Sequence, residues 1–248
     1  MTISGSALVT GGSRGLGAHL CRRLAADGWA VAVNYRSDAD GAAKVVADIE
    51  AAGGTAATFR ADVTDEGDVD RLAAEVERSL GPVRVVVANA TGPQPAAKAE
   101  ETTWQDHLDQ LTFFVKSPTL LLRATLPHMR RLGGGRFIHI GSDMVERALP
   151  GWSAYNAAKG AQLILARTWA RELGVHNVTV NVVAPGWIPV ERHGEITEEN
   201  SAGYVAGVPL GRMGTPAEIA DVVAFVASDA SRFVTGERIT VNGGHTLG

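Results

Sequence analysis

The chain holds a single cysteine, Cys21, in 248 residues. No disulfide can close within it, and such a composition fits a reducing compartment. No apolar run is long enough to span a bilayer, and the N-terminus runs into a strand with no charged-then-apolar leader, so a cytoplasmic protein with no membrane partner is expected. Basic residues are not in excess: 23 Lys and Arg stand against 27 Asp and Glu, a net charge of −4. They are scattered, which leaves no electrostatic footprint for nucleic acid. The histidines are dispersed without metal-ligand spacing, and no metal site is expected. There is no internal repeat, low-complexity tract or linker. What is present is an alternation of strand and helix patterns in a chain long enough to bury one core, read as one α/β domain over 1–248.

The densest chemistry falls between Ser142 and Lys159, SDMVERALPGWSAYNAAK. Tyr155 and Lys159 stand one helical turn apart and share a helix face. A tyrosine phenol has a pKa of about 10, too high for ready proton exchange at neutral pH. A lysine ammonium about 5 Å away, at an effective dielectric of about 20, favours the phenolate by roughly 3 kcal/mol. That is on the order of two pKa units, enough to make Tyr155 a usable general acid or base. Ser142 follows the apolar strand Arg136–Gly141 and can hold a substrate oxygen against the phenol. A lone Tyr-x-x-x-Lys is usually a surface pair; the order strand, Ser, loop, Tyr-x-x-x-Lys is far more specific. It points to moving a proton on and off a carbonyl.

Near the start, the strand Ala7–Thr10 leads into Gly11-Gly-Ser-Arg-Gly-Leu-Gly17 and an amphipathic helix through about Asp27. Glycines between a strand and a helix let the backbone approach a pyrophosphate, which the helix N-terminus stabilises. Gly11-Gly-Ser13-Arg-Gly15 also fits Gly-x-Ser-x-Gly, the nucleophile elbow of α/β-hydrolases. That elbow follows several strands, whereas here it falls on the first and leaves the Tyr-Lys pair unexplained. The second strand, Ala30–Arg36, ends without an acid; Asp38 and Asp40 lie beyond it. Arg14 and Arg36 can bracket a phosphate, which favours NADP(H) over NAD(H).

The rest alternates in the same way. A helix over Ala39–Ala51 and a strand over Ala56–Ala61 deliver Asp62-Val63, with Asp62, Thr64 and Asp65 all able to cap the helix Asp65–Leu80. Val83–Ala88 is a near-continuous apolar strand of the kind buried in parallel sheets. One long helix is predicted over Thr102–Arg131, kinked near Ser117-Pro118, and another over Ser153–Leu173. The strand Val178–Ala184 ends in Pro185-Gly186-Trp187-Ile188. Residues 191–207 are polar and glycine-punctuated, a solvated stretch by default. A helix over Pro216–Ser228 and a strand over Arg238–Val241 complete the chain.

Together these motifs resemble the short-chain dehydrogenase/reductase family over nearly the whole chain. Over Ser201–Gly248 they are similar to 3-oxoacyl-acyl-carrier-protein reductases and bacterial glucose dehydrogenases. The resemblance implies a single doubly wound parallel sheet of Rossmann type with helices on both faces. It implies NADP(H), with NAD(H) as the alternative, and hydride transfer between the nicotinamide and a ketone or secondary alcohol, whether a small molecule or an acyl thioester. By resemblance Ser142 polarises the carbonyl, Tyr155 passes the proton, and Lys159 lowers the tyrosine pKa and holds the nicotinamide ribose. The cofactor falls on Gly11, Ser13, Arg14, Gly15, Leu16 and Gly17, on Arg36, on Asp62 and Val63 beside the adenine, on Asn89, and on Pro185, Gly186 and Ile188. Residues 187–215 become a substrate lid. A homotetramer is implied, pairing the helix after Thr102 and the catalytic helix across subunits, with the last strand at another interface. The chain departs from the pattern at Ala88-Asn89-Ala90-Thr91, where the family usually shows Asn-Asn-Ala-Gly, and at two further positions. Phe114 stands where relatives place an asparagine of a proton relay, and Val190 stands where they often place threonine. These two departures motivate a rival reading, a catalytically weak nucleotide-binding protein acting through partners.

Overall fold

The computed structural model describes residues 5–191 and 194–247. Seven strands run Ser6–Val9 (β1), Ala30–Tyr35 (β2), Thr55–Arg60 (β3), Val83–Ala88 (β4), Gly135–Ile140 (β5), Val178–Pro185 (β6) and Arg238–Val241 (β7). Among the described residues nine α-helices run Gly15–Ala26 (α1), Ala39–Ala51 (α2), Glu66–Leu80 (α3), Trp104–Leu111 (α4), Ser117–Arg131 (α5), Met144–Arg147 (α6), Ser153–Leu173 (α7), Glu198–Val205 (α8) and Pro216–Ala227 (α9).

All seven strands are parallel, in the order β3-β2-β1-β4-β5-β6-β7. Successive side chains of a strand point to opposite faces, which sorts the core into two layers. Ala7, Val9, Val31, Val33, Val85, Val87 and Ile138 pack beneath α1, α2 and α9. Leu8, Ala32, Val86, Phe137, Val180 and Val182 pack beneath α3, α5 and α7. The expected doubly wound sheet with helices on both faces is therefore present. Chain direction around the sheet reverses between β1 and β4, and a crevice opens there at the carboxyl ends of the strands.

Three expectations need correction. The helix predicted over Thr102–Arg131 starts at Trp104 and runs through Arg131, but the expected kink takes the form of a π-helical turn, Thr112–Lys116, between α4 and α5, with Phe114 in its middle. Pro118 lacks an N–H and its ring would crowd the carbonyl of residue 114 in an unbroken α-helix, and the wider turn relieves this. The polar stretch 191–207 contains α8, opened by a capping box of Thr197 and Asn200; Gly203 and the absence of an apolar stripe hid it. The helix cap left open among Asp62, Thr64 and Asp65 is Asp65, whose carboxylate accepts from Asp68 N–H at 2.9 Å. Strand and helix ends otherwise differ from expectation by a residue, so that Arg36 begins the loop after β2 and does not close the strand.

Candidate active site

The crevice floor is built by β1, β2 and β4. Thr10 closes it with one hydroxyl, which accepts from Asn89 N–H and Ala90 N–H, both at 3.0 Å, and donates to Val87 O at 3.3 Å. The Asn89 amide donates to Thr10 O at 2.9 Å and Gly11 O at 3.3 Å. Asn89, expected to touch the cofactor, thus shapes the glycine loop from behind. Asn34 does the same from β2: its side chain accepts from Gly11 N–H and donates to Phe59 O and Ala61 O. The sequence reading passed over Asn34, although a polar residue inside an apolar strand was the available signal.

The loop itself is a cradle that side chains would fill. Gly11 and Gly15 have φ of +63° and +53°, a region open to glycine at little cost. A Cβ on Gly17 would lie 2.0 Å from Gly11 O. Asp38, Asp65, Thr103, Thr197 and Thr215 cap their helices with side chains, whereas α1 has neither a side-chain cap nor an acid in its first turn. Its N–H groups and dipole end therefore suit an anion. Leu16 turns its side chain to the core. Val190 and Glu191 face Gly15 across a cavity of about 430 Å³ that also reaches His19, Ile196 and Pro216.

Arg36 lies at the rim of a second cavity, about 340 Å³, lined with Arg60, Asp62, Asp68 and Arg71. Its guanidinium is 3.7 Å from Asp62. Burial opposes ionisation of Asp62, but hydrogen bonds from Thr64, with the charge of Arg36, outweigh it and hold the carboxyl below its ordinary range. Arg14 is exposed and does not line this cavity, while Arg60 and Arg71, which the sequence reading did not select, do. Arg60 stands opposite Tyr35 in the β2–β3 register, which brings it beside the following Arg36. Val63 is buried in the core.

On the far side of the crevice, α7 presents Tyr155 and Lys159. The Tyr155 ring is met edge-on by Phe114 at 5.5 Å and by Trp152 at 5.9 Å. Lys159 is buried, and its ammonium donates to Ile140 O at 2.6 Å and Gln162 Oε1 at 3.3 Å. It lies 5.7 Å from the centre of the Tyr155 ring and 3.7 Å from that of Phe114. Beneath it, burial and then the charge of Lys159 push the His139 pKa down to about 3. Ser142 Oγ accepts from Met144 N–H at 3.2 Å, so the hydroxyl keeps its own proton to donate elsewhere. Gln162 and His139 were not foreseen; a polar pair on the buried faces of α7 and β5 was the signal.

Pro185 and Gly186 continue β6 into the turn above this site. Pro185 O accepts from Asp143 N–H at 3.0 Å, and Gly186 N–H donates to Val241 O at 3.2 Å. Trp187 N–H donates to the Tyr204 hydroxyl at 2.9 Å. A Cβ on Gly186 would strike that hydroxyl at 2.3 Å. The Ile188 side chain is buried in the core. Among the described residues no group of three or more His, Cys, Asp or Glu could hold a metal ion. Among the same residues no helix is long and apolar enough to cross a membrane.

A protein-family profile described as Enoyl-(Acyl carrier protein) reductase matches residues 11–246. The 3-oxoacyl-acyl-carrier-protein reductase of Staphylococcus aureus is 35% identical over 246 residues, covering 98% of this chain and 99% of that protein. A blue fluorescent protein from a metagenomic library, solved in complex with NADPH, superposes with a TM-score of 0.90 at 37% identity over 100% of both chains. A 7α-hydroxysteroid dehydrogenase solved with NADH and 7-oxoglycochenodeoxycholic acid superposes with a TM-score of 0.92 at 32% identity, over 98% of this chain and 94% of that one. The hydrolase reading of Ser13 has no support in these likenesses. The chain belongs to the short-chain dehydrogenase/reductase family and is an NAD(P)(H)-dependent oxidoreductase acting on a ketone or alcohol.

Proposed function

We propose that this enzyme reduces a ketone with NADPH, using Ser142, Tyr155 and Lys159. The observation that carries the proposal is the packing of a buried lysine ammonium and a half-buried phenol on one face of α7. When bound, the reduced nicotinamide supplies a hydride to the carbonyl carbon. Ser142 donates its hydroxyl proton as a hydrogen bond to the carbonyl oxygen, an option kept open because Met144 N–H already occupies a lone pair. Tyr155 gives that oxygen its phenolic proton as the C–H bond forms, so alcohol and oxidised cofactor are the products. Lys159 favours the resulting phenolate by its charge. In reverse, the same groups oxidise a secondary alcohol. The bound cofactor would be held at its pyrophosphate by Gly11, Ser13, Gly15 and the N–H groups of Leu16 and Gly17, at its adenine by Asp62 and Val63, and at its carboxamide by the backbone of Pro185, Gly186 and Ile188.

Preference for NADP(H) over NAD(H) is supported by Arg36, Arg60 and Arg71 around one cavity, and by exposed Arg14 on the glycine loop. The likeness to a carrier-protein reductase and a steroid dehydrogenase supports a small-molecule or acyl-thioester substrate. Residues 187–215, with α8 at their centre, serve as the lid. Exposed Trp104, Leu108 and Ile164 on α4 and α7 support pairing of two copies, and Phe225 and Phe233 support a second contact, as in a homotetramer. A cytoplasmic setting is supported by the one buried thiol.

The test is turnover of an activated diketone or β-ketoester by the wild type and Tyr155→Phe, with each of NADPH and NADH, and cofactor binding measured beside it. Tyr155→Phe should lose most activity, roughly 10²–10⁴-fold, and keep binding. A wild type that binds NADPH yet is no faster than Tyr155→Phe would instead favour the weak-binder reading.

A further inference from the structure

The loop that carries Ser142 turns around a buried carboxylate that no step above uses. Asp143 is 1% exposed. Its Oδ2 accepts from Asn242 Nδ2 at 3.2 Å, and His245 Nδ1 lies 3.8 Å from the same oxygen. Arg147 stands 4.0 Å from Oδ1. Burial raises the carboxyl above its ordinary range, and Asn242, Arg147, His245 and Arg238 pull it back.

The partners of Asp143 reach the other walls of the site. The Tyr204 ring on α8 is met edge-on by the His245 ring at 4.6 Å, and the Arg147 guanidinium stands 5.3 Å from its centre. The Tyr204 hydroxyl in turn accepts from Trp187 N–H, in the turn read as the nicotinamide seat. The Ser142 peptide is gripped a second time by Arg238, which donates to Ser142 O at 3.1 Å and pairs with Glu146. One carboxylate thus joins the serine loop, the C-terminal segment, the 185–188 turn and α8.

A buried charge is a costly way to hold a loop that apolar packing could hold as well. Its use here makes sense where orientation matters more than stability. We propose that Asp143 is a positioning residue for Ser142: its carboxylate ties the serine loop to Asn242, beside the His245 ring, and, through Arg147 and Tyr204, keeps the serine hydroxyl in register with the 185–188 turn. The proposal rests on the reading of Ser142 as the group that polarises the carbonyl. Displacements of about 1 Å at such a group can cost on the order of 100-fold in rate.

The experiment is a double-mutant cycle in the full-length enzyme. Asp143→Asn, which keeps shape and can still accept from Asn242, should lower kcat for ketone reduction by about 10- to 100-fold while NADPH affinity and melting temperature change little. In a Ser142→Ala background the same substitution should do almost nothing further, because the group it positions is gone. An equal loss in both backgrounds overturns the proposal and makes Asp143 merely structural, as does an unchanged kcat in the single variant. Should Asp143→Asn fail to fold, Asn242→Leu, which removes the donor to Oδ2, takes its place in the same cycle. If Ser142→Ala reduces ketones as fast as the wild type, both this proposal and the reading beneath it fall. A wild type that depends on Ser142 but not on Asp143 overturns this proposal alone.

Discussion

The Lys159 ammonium lies 3.7 Å from the centre of the Phe114 ring, and that ring meets Tyr155 edge-on at 5.5 Å. A phenyl group therefore stands against both members of the proposed proton-transfer pair. It cannot relay a proton, but its face attracts a cation, an interaction worth about 2 kcal/mol when desolvated. Phe114→Leu, which keeps volume and removes the π face, should slow ketone reduction by about 5- to 30-fold. That is less than the loss on Tyr155→Phe. Steady-state kinetics with saturating NADPH measures it, and an unchanged kcat would show that the ring only fills space. Phe114→Asn can restore a hydrogen-bonding group or open a cavity, so it ranks second as a test.

Arg36→Asp should weaken NADPH far more than NADH. Only NADPH carries the 2′-phosphate, and a hydrogen bond to a charged group contributes about 1.5–3 kcal/mol, roughly 10- to 100-fold in affinity. Fluorescence titration with each cofactor is the measurement. Equal affinities for the two cofactors in the unmutated enzyme would defeat the stated preference.

Two glycine substitutions should act in opposite directions. Gly17→Ala drives a methyl to 2.0 Å from Gly11 O, an overpacking that should cost about 1–3 kcal/mol and distort the cradle. Gly160→Ala, in mid-α7, meets nothing within 4 Å and should stabilise by about 0.5–1 kcal/mol. Thermal unfolding of both variants, with NADPH binding for the first, separates a conformational need for glycine from an incidental one.

His139 should make stability depend on pH. Burial, with Lys159, pushes its folded pKa from 6.5 down to about 3. Below pH 6.5 the unfolded chain takes up a proton that the folded chain refuses, so this contribution is full above 6.5 and is lost as pH falls toward 3. The slope approaches about 1.4 kcal/mol per pH unit within that window. His139→Phe, which keeps a ring against Phe137 and Trp169, should flatten the melting-temperature profile between pH 6.5 and 4. Parallel profiles for the two proteins would count against it.

The fold was legible because parallel strands buried on both faces read as apolar runs, as β4 does with only Arg84 breaking it, while β5 and β6 keep enough apolar residues around Arg136, His139, Thr179 and Asn181 to read the same way. The placement of Tyr155, Lys159 and Ser142, the proposed catalytic groups, was legible because a helical turn and a strand end fix spacing locally. Asp143, Tyr204 and His245 were not. They come from a loop, from a helix hidden by Gly203 and from the last residues of the chain, and only the closed sheet brings them within reach of one another. Arg60 and Arg71 escaped for a similar reason, since the β2–β3 register and the start of α3 put them beside Arg36. The π-helical turn at Phe114 was half legible: Pro118 announced a disturbance, but not that the backbone would widen ahead of the proline.

The hydroxyl of Thr10 bridges the two strands at which the sheet changes direction, and the Asn89 amide ties the same seam to the glycine loop. A seam stitched this way cannot splay. On the proposed reading of this region as a lid, traffic through the crevice is controlled from above, by the turn at Trp187 and by α8, which meet through the Trp187 N–H bond to the Tyr204 hydroxyl and an edge-on contact of the two rings at 5.5 Å. Such a division of labour lets the two halves of a ligand be handled on different clocks. The end lying on the sheet is docked on a surface that is ready beforehand, while the end under the roof waits for the contacts between Trp187 and Tyr204 to break and re-form.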